Sequence, residues 1–258
     1  MSVTAQPAAV EVTLRDDVGT FAGDYARAKI GGALKVADGR IRRAHVVLDW
    51  GHDPAVERPA LAEVSVDVDG LLVRAKTAAP TMPEAIDALE DRLRRQLVSA
   101  QDRNRALHRW TGIASEHEWR HGDRPRRPLP YFNRPEETRQ VVRRKSFAGA
   151  PITVDEAAYE MDLLDHDFYL YRDIDSKRPA LVHRRPEGGY GVQGVDHDGT
   201  IAAVTYEPPP PSLTDAEARA RLEANDERFV FYLDRDRGVG SVLYRRYDGH
   251  YGLIELAD

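Results

Sequence analysis

The sequence contains one motif typical of a metal-dependent enzyme, the run His117-Glu118-Trp119-Arg120-His121. On a helix, His-Glu-x-x-His places two imidazoles on one face, where they bind zinc, and its glutamate acts as general base. The next residues, Gly122 to Pro128, include two prolines that would end such a helix at once, and no third ligand follows in a structured context. We therefore interpret the motif as a chance match and expect neither a metal nor a cofactor.

No other motif points to catalysis. The chain has no cysteine, P-loop, nucleophile elbow or dinucleotide fingerprint. Two Asp-His-Asp triplets, at 165–167 and 196–198, are explained more simply as a helix-to-strand connection and a turn. We predict that the protein is not an enzyme.

A second chemistry is suggested by arginines near the end of a long predicted helix that begins at Pro83. Carboxylates dominate the first half of this helix and arginines the second half, as the helix dipole favours. Five arginines in 14 residues nevertheless exceed what a helix end needs, and they predict a surface that contacts phosphates. These arginines are Arg92, Arg94, Arg95, Arg103 and Arg105.

The net charge of −6 hides a strong asymmetry along the chain. Residues 1–105 carry −1, residues 106–146 carry +5 and residues 147–258 carry −10. Charge segregation of this kind indicates regions with different partners. No secretory signal or apolar run of about 20 residues is evident, so we expect a cytoplasmic protein with no membrane partner.

The elements that must position these residues follow from apolar periodicity. The order over residues 10–105 is β-α-β-β-β-α, with Val18, Phe21, Tyr25 and Ala28 marking the first helix. Asp69-Gly70 predicts a tight hairpin between the last two strands. In the second helix the apolar stripe is formed by Ile86, Leu89, Leu93 and Leu97.

The C-terminal part contains an internal repeat, whose two copies align without a gap at an offset of 61 residues. Each copy reads as a short helix, an aromatic strand and a hairpin ending in Arg-Arg-x-x-Gly-x-Tyr-Gly. An extra strand for the first copy is predicted within 200–206. The predicted domains are 1–106, a basic Pro/Arg-rich linker at 107–146, a first repeat at 147–207, and a Pro-rich spacer with the second repeat at 208–258. Two interpretations of the linker remain open: a solvated tether, or a segment that binds single-stranded nucleic acid through its arginines and aromatic residues.

Two stretches carry a resemblance to a known family, the long-form ribosome hibernation promoting factors. Residues 81–97, with Met82-Pro83-Glu84-Ala85-Ile86-Asp87 and Asp91-Arg92-Leu93-Arg94-Arg95-Gln96, resemble the last helix of the N-terminal domain. Residues 143–172 and the Arg-Arg-x-x-Gly-x-Tyr-Gly hairpin resemble the C-terminal domain. The fold implied is α+β, with two helices on one face of a four-stranded sheet, plus two small tandem α/β-hairpin repeats.

The resemblance implies a translation inhibitor that binds the small ribosomal subunit and its rRNA near the decoding centre, blocks mRNA and tRNA, and preserves inactive ribosomes under stress. It implies no DNA partner. Basic side chains of the helices and of the outer sheet face would contact rRNA; these are Arg27, Lys29, Arg74, Lys76 and the five arginines of the second helix. Gly32 departs from the family, which often has a lysine there.

The duplication is the larger departure, because the ordinary long form has one C-terminal domain, which pairs with its twin from another chain. We predict that the two repeats pair within one chain, which favours inactive single ribosomes over ribosome dimers. The predicted pairing residues are Phe168, Tyr171, Tyr190, Phe229, Tyr232 and Tyr251. The alternatives are a ribosome-dimerising factor that pairs its repeats between chains, a separate partner for the acidic tail, and a general RNA-binding regulator.

Overall fold

The computed structural model describes residues 10–16, 18–51, 57–109, 132, 134–197, 200–201 and 204–257. They fall into two compact units, an N-terminal unit and a C-terminal unit that contains most of both repeats. Within these residues no helix combines the length and the apolar character that crossing a membrane requires.

The N-terminal unit has the predicted β-α-β-β-β-α order. Its elements are β1 (Val10–Leu14), α1 (Thr20–Ala33), β2 (Ile41–Trp50), β3 (Ala60–Val68), β4 (Leu71–Ala79) and α2 (Met82–Arg109). The strands form one sheet in the order β1-β2-β3-β4, in which β1 runs parallel to β2 and the other pairs are antiparallel. Asp69 and Gly70 form the predicted hairpin, both with positive φ, at 53° and 95°.

Alternation along the strands gives this sheet one buried and one open face. Val46, Val64 and Val73 are fully buried on the face that carries the helices. The predicted stripe of α2 packs against this face, since Ile86, Leu89, Leu93 and Leu97 are all at most 2% exposed.

Helix α1 forms in the predicted region, but the apolar residues that marked it in the sequence are not its buried face. Its buried residues are Gly23, Ala26, Ile30 and Ala33, whereas Phe21 is 77% exposed. These four residues repeat at three- and four-residue spacing and give a second possible stripe on the helix. Packing selects the stripe that contains Ala26 and Ile30, which leaves the ring of Phe21 outside the core.

The C-terminal unit repeats one arrangement of elements at the predicted offset. The first copy contains β6 (Pro151–Ile152), α3 (Val154–Leu163), β7 (Phe168–Asp173), β8 (Pro179–Arg184) and β9 (Tyr190–Gln193), and is preceded by β5 (Val141–Phe147). After β10 (Thr200–Ile201) and β11 (Val204–Tyr206), the second copy contains β12 (Ser212–Leu213), α4 (Asp215–Ala224), β13 (Phe229–Asp234), β14 (Gly240–Arg245) and β15 (Tyr251–Leu256).

Each repeat begins its helix with the same local device. The Thr214 hydroxyl accepts a hydrogen bond from the Glu217 amide at 3.2 Å, and the Glu217 carboxylate accepts from the Thr214 amide at 2.8 Å. Thr153 and Glu156 form the same reciprocal pair before α3. Such a capping box satisfies two backbone donors that a helix start otherwise leaves free.

Each repeat completes its sheet with the strand that precedes the other repeat. The order of one sheet is β10-β11-β9-β8-β7-β6, and that of the other is β12-β13-β14-β15-β5. Strand β11, which leads into the second repeat, runs parallel to β9 of the first, as the predicted extra strand requires. Strand β5 leads into the first repeat and runs parallel to β15 of the second. The end of the predicted linker is therefore a strand of the second repeat's sheet.

A cross-strand contact explains the glycine of the repeated Tyr-Gly pair. Gly252 lies opposite Tyr244 in the β14–β15 ladder, and a Cβ added to it would lie 2.2 Å from Cζ of that ring. Gly191 is related in the same way to His183, at 2.2 Å from Nε2. A glycine is needed at these two positions so that a ring can lie flat across the neighbouring strand.

The two sheets share a buried cluster. Leu170 and Leu181 from the first repeat pack with Phe231, Val242 and Leu256 from the second, and all five are at most 3% exposed. Phe168, Phe229 and Ile254 pack against them at the margin. We call these eight residues the shared cluster.

The predicted pairing residues divide between this cluster and the repeats' own cores. Phe168 and Phe229 border the shared cluster. By contrast, Tyr171 and Tyr190 lie in the core beneath α3, and Tyr232 and Tyr251 lie in the core beneath α4. Alternate residues of a strand point to opposite faces, so Phe168 and Tyr171 cannot face the same layer.

Candidate nucleic-acid interface

Lys29, one of the predicted rRNA-binding cations, lies in the seam between α1 and α2. The Lys29 ammonium lies 2.8 Å from Asp87 and 3.3 Å from Glu90, and the Tyr25 hydroxyl donates to Asp87 at 2.7 Å. Hydrogen bonds to Asp87 and Glu90 raise the pKa of Lys29, so this side chain is charged at any physiological pH. The lysine is thus fixed in place but partly neutralised by its own domain.

One turn further along the seam, an arginine of α2 stands where the family often has a lysine of α1. A Cβ added to Gly32 would lie 3.8 Å from Nη2 of Arg94. The same Nη2 lies 3.0 Å from Glu90. A positive charge is therefore present next to Gly32, although the other helix supplies it.

The open face of the sheet carries charges of both signs. Arg43 lies 2.9 Å from Glu11, and Lys76 lies 3.4 Å from Glu63. The partly buried Arg74 is opposite Ser65 in the β3–β4 ladder. Because anions compensate most of these cations, this face offers less net attraction for phosphate than the predicted residues suggested.

The remaining predicted cations differ in their availability. Arg95 is exposed and forms no ion pair with any residue that the structure describes. Arg27 is exposed but lies 2.7 Å from Asp24, and Arg92 is partly buried. The side chains of Arg103 and Arg105 lie outside the described residues.

Sequence reasoning missed one exposed feature of α1, because it used Phe21 only as an apolar marker of the helix. The Phe21 ring stacks on Tyr25, with centroids 6.5 Å apart, and the Lys29 ammonium lies 5.4 Å from the Tyr25 centroid. The competing stripe of glycine, alanine and isoleucine at 23, 26, 30 and 33 is the signal that could have revealed this. Aromatic rings followed by a cation are suited to contact with nucleic acid bases and phosphates.

Metal-site predictions can be assessed only where the structure describes the chain. There, no group of three or more His, Asp or Glu side chains is arranged to hold a metal ion. The His117-Glu118-x-x-His121 motif lies outside the described residues.

Comparisons with known proteins agree with this architecture. The family model described as "Sigma 54 modulation protein / S30EA ribosomal protein" matches residues 10–105. Its C-terminal counterpart, "Sigma 54 modulation/S30EA ribosomal protein C terminus", matches twice, at residues 136–192 and 201–253. The first match of this C-terminal family model begins before β5, and its second match begins before β11. Each match therefore includes the strand that precedes one repeat and pairs with the sheet of the other.

Individual relatives are similar over most of the chain. A "Dormancy associated translation inhibitor" of Mycobacterium tuberculosis is 30% identical, over 92% of this chain and 88% of its own length. A "Ribosome hibernation promotion factor" of Picosynechococcus is also 30% identical, over 66% of this chain and 87% of its own. The solved N-terminal domain of Thermus thermophilus Protein Y is 28% identical over 36% of this chain and 96% of its own, with a TM-score of 0.29.

These matches cover well over half of the chain and both of its units. The chain therefore belongs to the S30EA ribosomal protein family of ribosome hibernation factors, as a long form that carries two copies of the C-terminal domain.

Proposed function

We propose that the N-terminal unit binds the small ribosomal subunit near the decoding centre, where it blocks mRNA and tRNA and keeps the ribosome inactive but intact under stress. The family match carries this proposal, together with relatives named for ribosome hibernation and for translation inhibition in dormancy. The protein acts in the cytoplasm as a binding protein, without a catalytic step. Its rRNA contacts are the predicted set, led by Lys29, Arg94 and Arg95 on the two helices.

The cations of this helical surface are held in fixed positions, and this supports their recognition of rRNA phosphates. Lys29 and Arg94 share Glu90 as a partner, so their carboxylates hold both cations in place before binding. A preorganised cation loses less conformational entropy when it meets a phosphate than a freely moving one. Arg95 adds a charge that no described carboxylate compensates.

The second part of the proposal concerns the repeats, which pair within one chain and take the place of two chains. The shared cluster supports it, and the aromatic contacts at its margin are arranged as a pseudo-twofold pair. Phe168 and Phe229, which are equivalent positions, have centroids 4.9 Å apart. Each of these rings also lies near a second ring of the other repeat, and the two second rings again occupy equivalent positions. The ring centroids of Phe168 and Tyr244 are 5.6 Å apart, and those of Phe229 and His183 are 5.4 Å apart.

A buried ionic cluster supports the pairing of β5 with the sheet of the second repeat. Arg139, just before β5, forms an ion pair with Glu223 of the second repeat, and Arg245 lies 3.3 Å from the same carboxylate. All three side chains are at most 13% exposed. The position equivalent to Arg139 before β11 is Thr200, which offers no such charge. Strand β5 is therefore matched to the second repeat in a way that β11 is not.

Tethering makes pairing within the chain the favoured outcome. A short linker holds the second repeat at an effective concentration on the order of millimolar relative to the first. Another chain at cellular concentration competes poorly with such a partner. With both pairing surfaces occupied, one chain would silence one ribosome and leave no face to couple two.

A sucrose gradient of purified ribosomes with the full chain tests both parts. We expect the protein to travel with single ribosomes and to add no ribosome-dimer peak. A paired-ribosome peak containing the protein would refute pairing within the chain, and protein remaining at the top would refute ribosome binding. Arg95→Glu should reduce co-sedimentation, while Arg178→Glu, the same charge change on the first repeat, should not. Binding to bulk duplex RNA as tight as binding to ribosomes would instead indicate a general RNA-binding regulator.

A further inference from the structure

Two exposed aromatic side chains from distant parts of the chain lie together at the β14–β15 hairpin. Phe132 is 37% exposed and Tyr247 is 49% exposed. The Phe132 amide donates a hydrogen bond to the Tyr247 carbonyl at 2.8 Å, which holds the two residues side by side. Neither ring belongs to the three buried clusters of the C-terminal unit.

Each of these rings carries its own arginine. The Arg134 guanidinium carbon lies 5.3 Å from the Phe132 centroid, and that of Arg246 lies 5.7 Å from the Tyr247 centroid. Asp248 anchors both arginines: its carbonyl accepts from Arg134 Nε at 3.4 Å and its carboxylate accepts from Arg246 at 2.9 Å. The neighbouring carboxylates are Asp248 and the exposed Glu136 and Glu137, so the two arginines do not make the local charge positive.

The hairpin turn is shaped to receive the segment that carries Phe132. Gly249 has a φ of +76°, and a Cβ added to it would lie 2.4 Å from the Phe132 carbonyl oxygen. In the first repeat, the position equivalent to Tyr247 is Pro186. Folding of a repeat thus does not require an aromatic residue at this turn, and its presence in the second repeat calls for another role.

We propose that Phe132, Arg134, Arg246 and Tyr247 form a site that stacks unpaired bases of single-stranded RNA. Exposed aromatic faces bind successive bases without sequence preference, and arginines beside them add cation–π and phosphate contacts. RNA is favoured over a protein partner because Phe132 and Arg134 belong to the most basic stretch of the chain, residues 106–146, which has a net charge of +5. The inference rests on the proposed function, since the ribosome would supply the RNA.

The site can be tested on the full chain with a fluorescent single-stranded oligouridine that contains 4-thiouridine. Irradiation should crosslink it to peptides that contain Tyr247 or Phe132. A stacked base contributes a factor of about 5 to 150 in affinity, so Tyr247→Ala should raise the Kd of the oligouridine roughly tenfold. Tyr247→Phe keeps the ring and should leave the Kd within about twofold of the unsubstituted chain.

Crosslinks confined to residues 10–109, or an unchanged Kd for Tyr247→Ala, would overturn the inference. Val142→Ala, at another exposed apolar side chain of the same sheet, is the matched control and should not change the Kd. Co-sedimentation with ribosomes distinguishes the two levels of failure. If the chain binds ribosomes but the hairpin is not crosslinked, the site is wrong; if it does not bind ribosomes, the proposed function is wrong.

Discussion

Substitution of Phe231 by alanine tests whether the shared cluster couples the two repeats. Phe231 lies in the second repeat, is 3% exposed, and packs with Leu170 and Leu181 of the first. Replacing a buried phenylalanine by alanine costs about 3–5 kcal/mol, from the lost transfer free energy and the cavity that remains. This corresponds to roughly a 100- to 4,000-fold change in the equilibrium between closed and open repeats.

Native-state amide hydrogen exchange is the assay that localises this loss. Because Leu170 and Leu181 lose their packing partner, amides of β7 and β8 should exchange faster, although the substitution lies in the other repeat. Amides of β2 and β3 in the N-terminal unit should be unaffected. Leu233→Ala, further along the same strand at a residue 36% exposed, is the control and should cost less than about 1 kcal/mol.

The reasoning would be refuted by faster exchange in the second repeat alone. That result would mean that each repeat opens independently and that the contact between the sheets contributes little free energy. A chain of unchanged monomeric mass in light scattering, combined with faster exchange in both repeats, is the result expected from pairing within one chain.

Three further predictions concern single positions. Burial alone would raise the pKa of Glu223, but hydrogen bonds from Tyr251 and Arg139 lower this pKa overall. The ionised Glu223 should therefore contribute its full stabilisation above about pH 4.5, and this stabilisation should be lost as the pH falls further. In acid unfolding curves, Glu223→Gln should flatten this dependence on pH. Gly252→Ala should destabilise the second repeat by about 1–3 kcal/mol in urea unfolding, because its Cβ meets the Tyr244 ring, and Tyr244→Ala in the same chain should reduce that cost. Ribosome binding should weaken linearly in log Kd against log salt, and Arg95→Ala should reduce the slope by about one, with an unchanged slope arguing against a phosphate contact.

The elements of the fold were predictable where periodicity and turn residues agree. Strand alternation, the Asp69-Gly70 turn and the stripe of α2 led to the observed order of the N-terminal unit. The internal repeat also fixed the layout of the C-terminal unit, because two copies of one sequence have the same local preferences. These signals are local, so they can be read without knowing what packs against them.

The face of α1 was not predictable in this way, because its sequence offers two stripes. One contains Phe21 and Tyr25 and the other contains Ala26 and Ile30. Helical periodicity shows that a stripe exists, but only packing against the sheet and α2 decides which stripe is buried. The same decision exposed Phe21 and added it to the candidate interface.

By itself, the sequence determined the family, the two kinds of unit and the helices that carry the basic residues, since each depends on residue types at fixed spacing. Only the tertiary structure decided that β5 completes the second repeat's sheet, that Phe132 meets Tyr247, and that Phe168 rather than Tyr171 faces the other repeat. These contacts join residues that are distant in the chain. Their free energy comes from surfaces buried together, and no local pattern records which surface will be the partner.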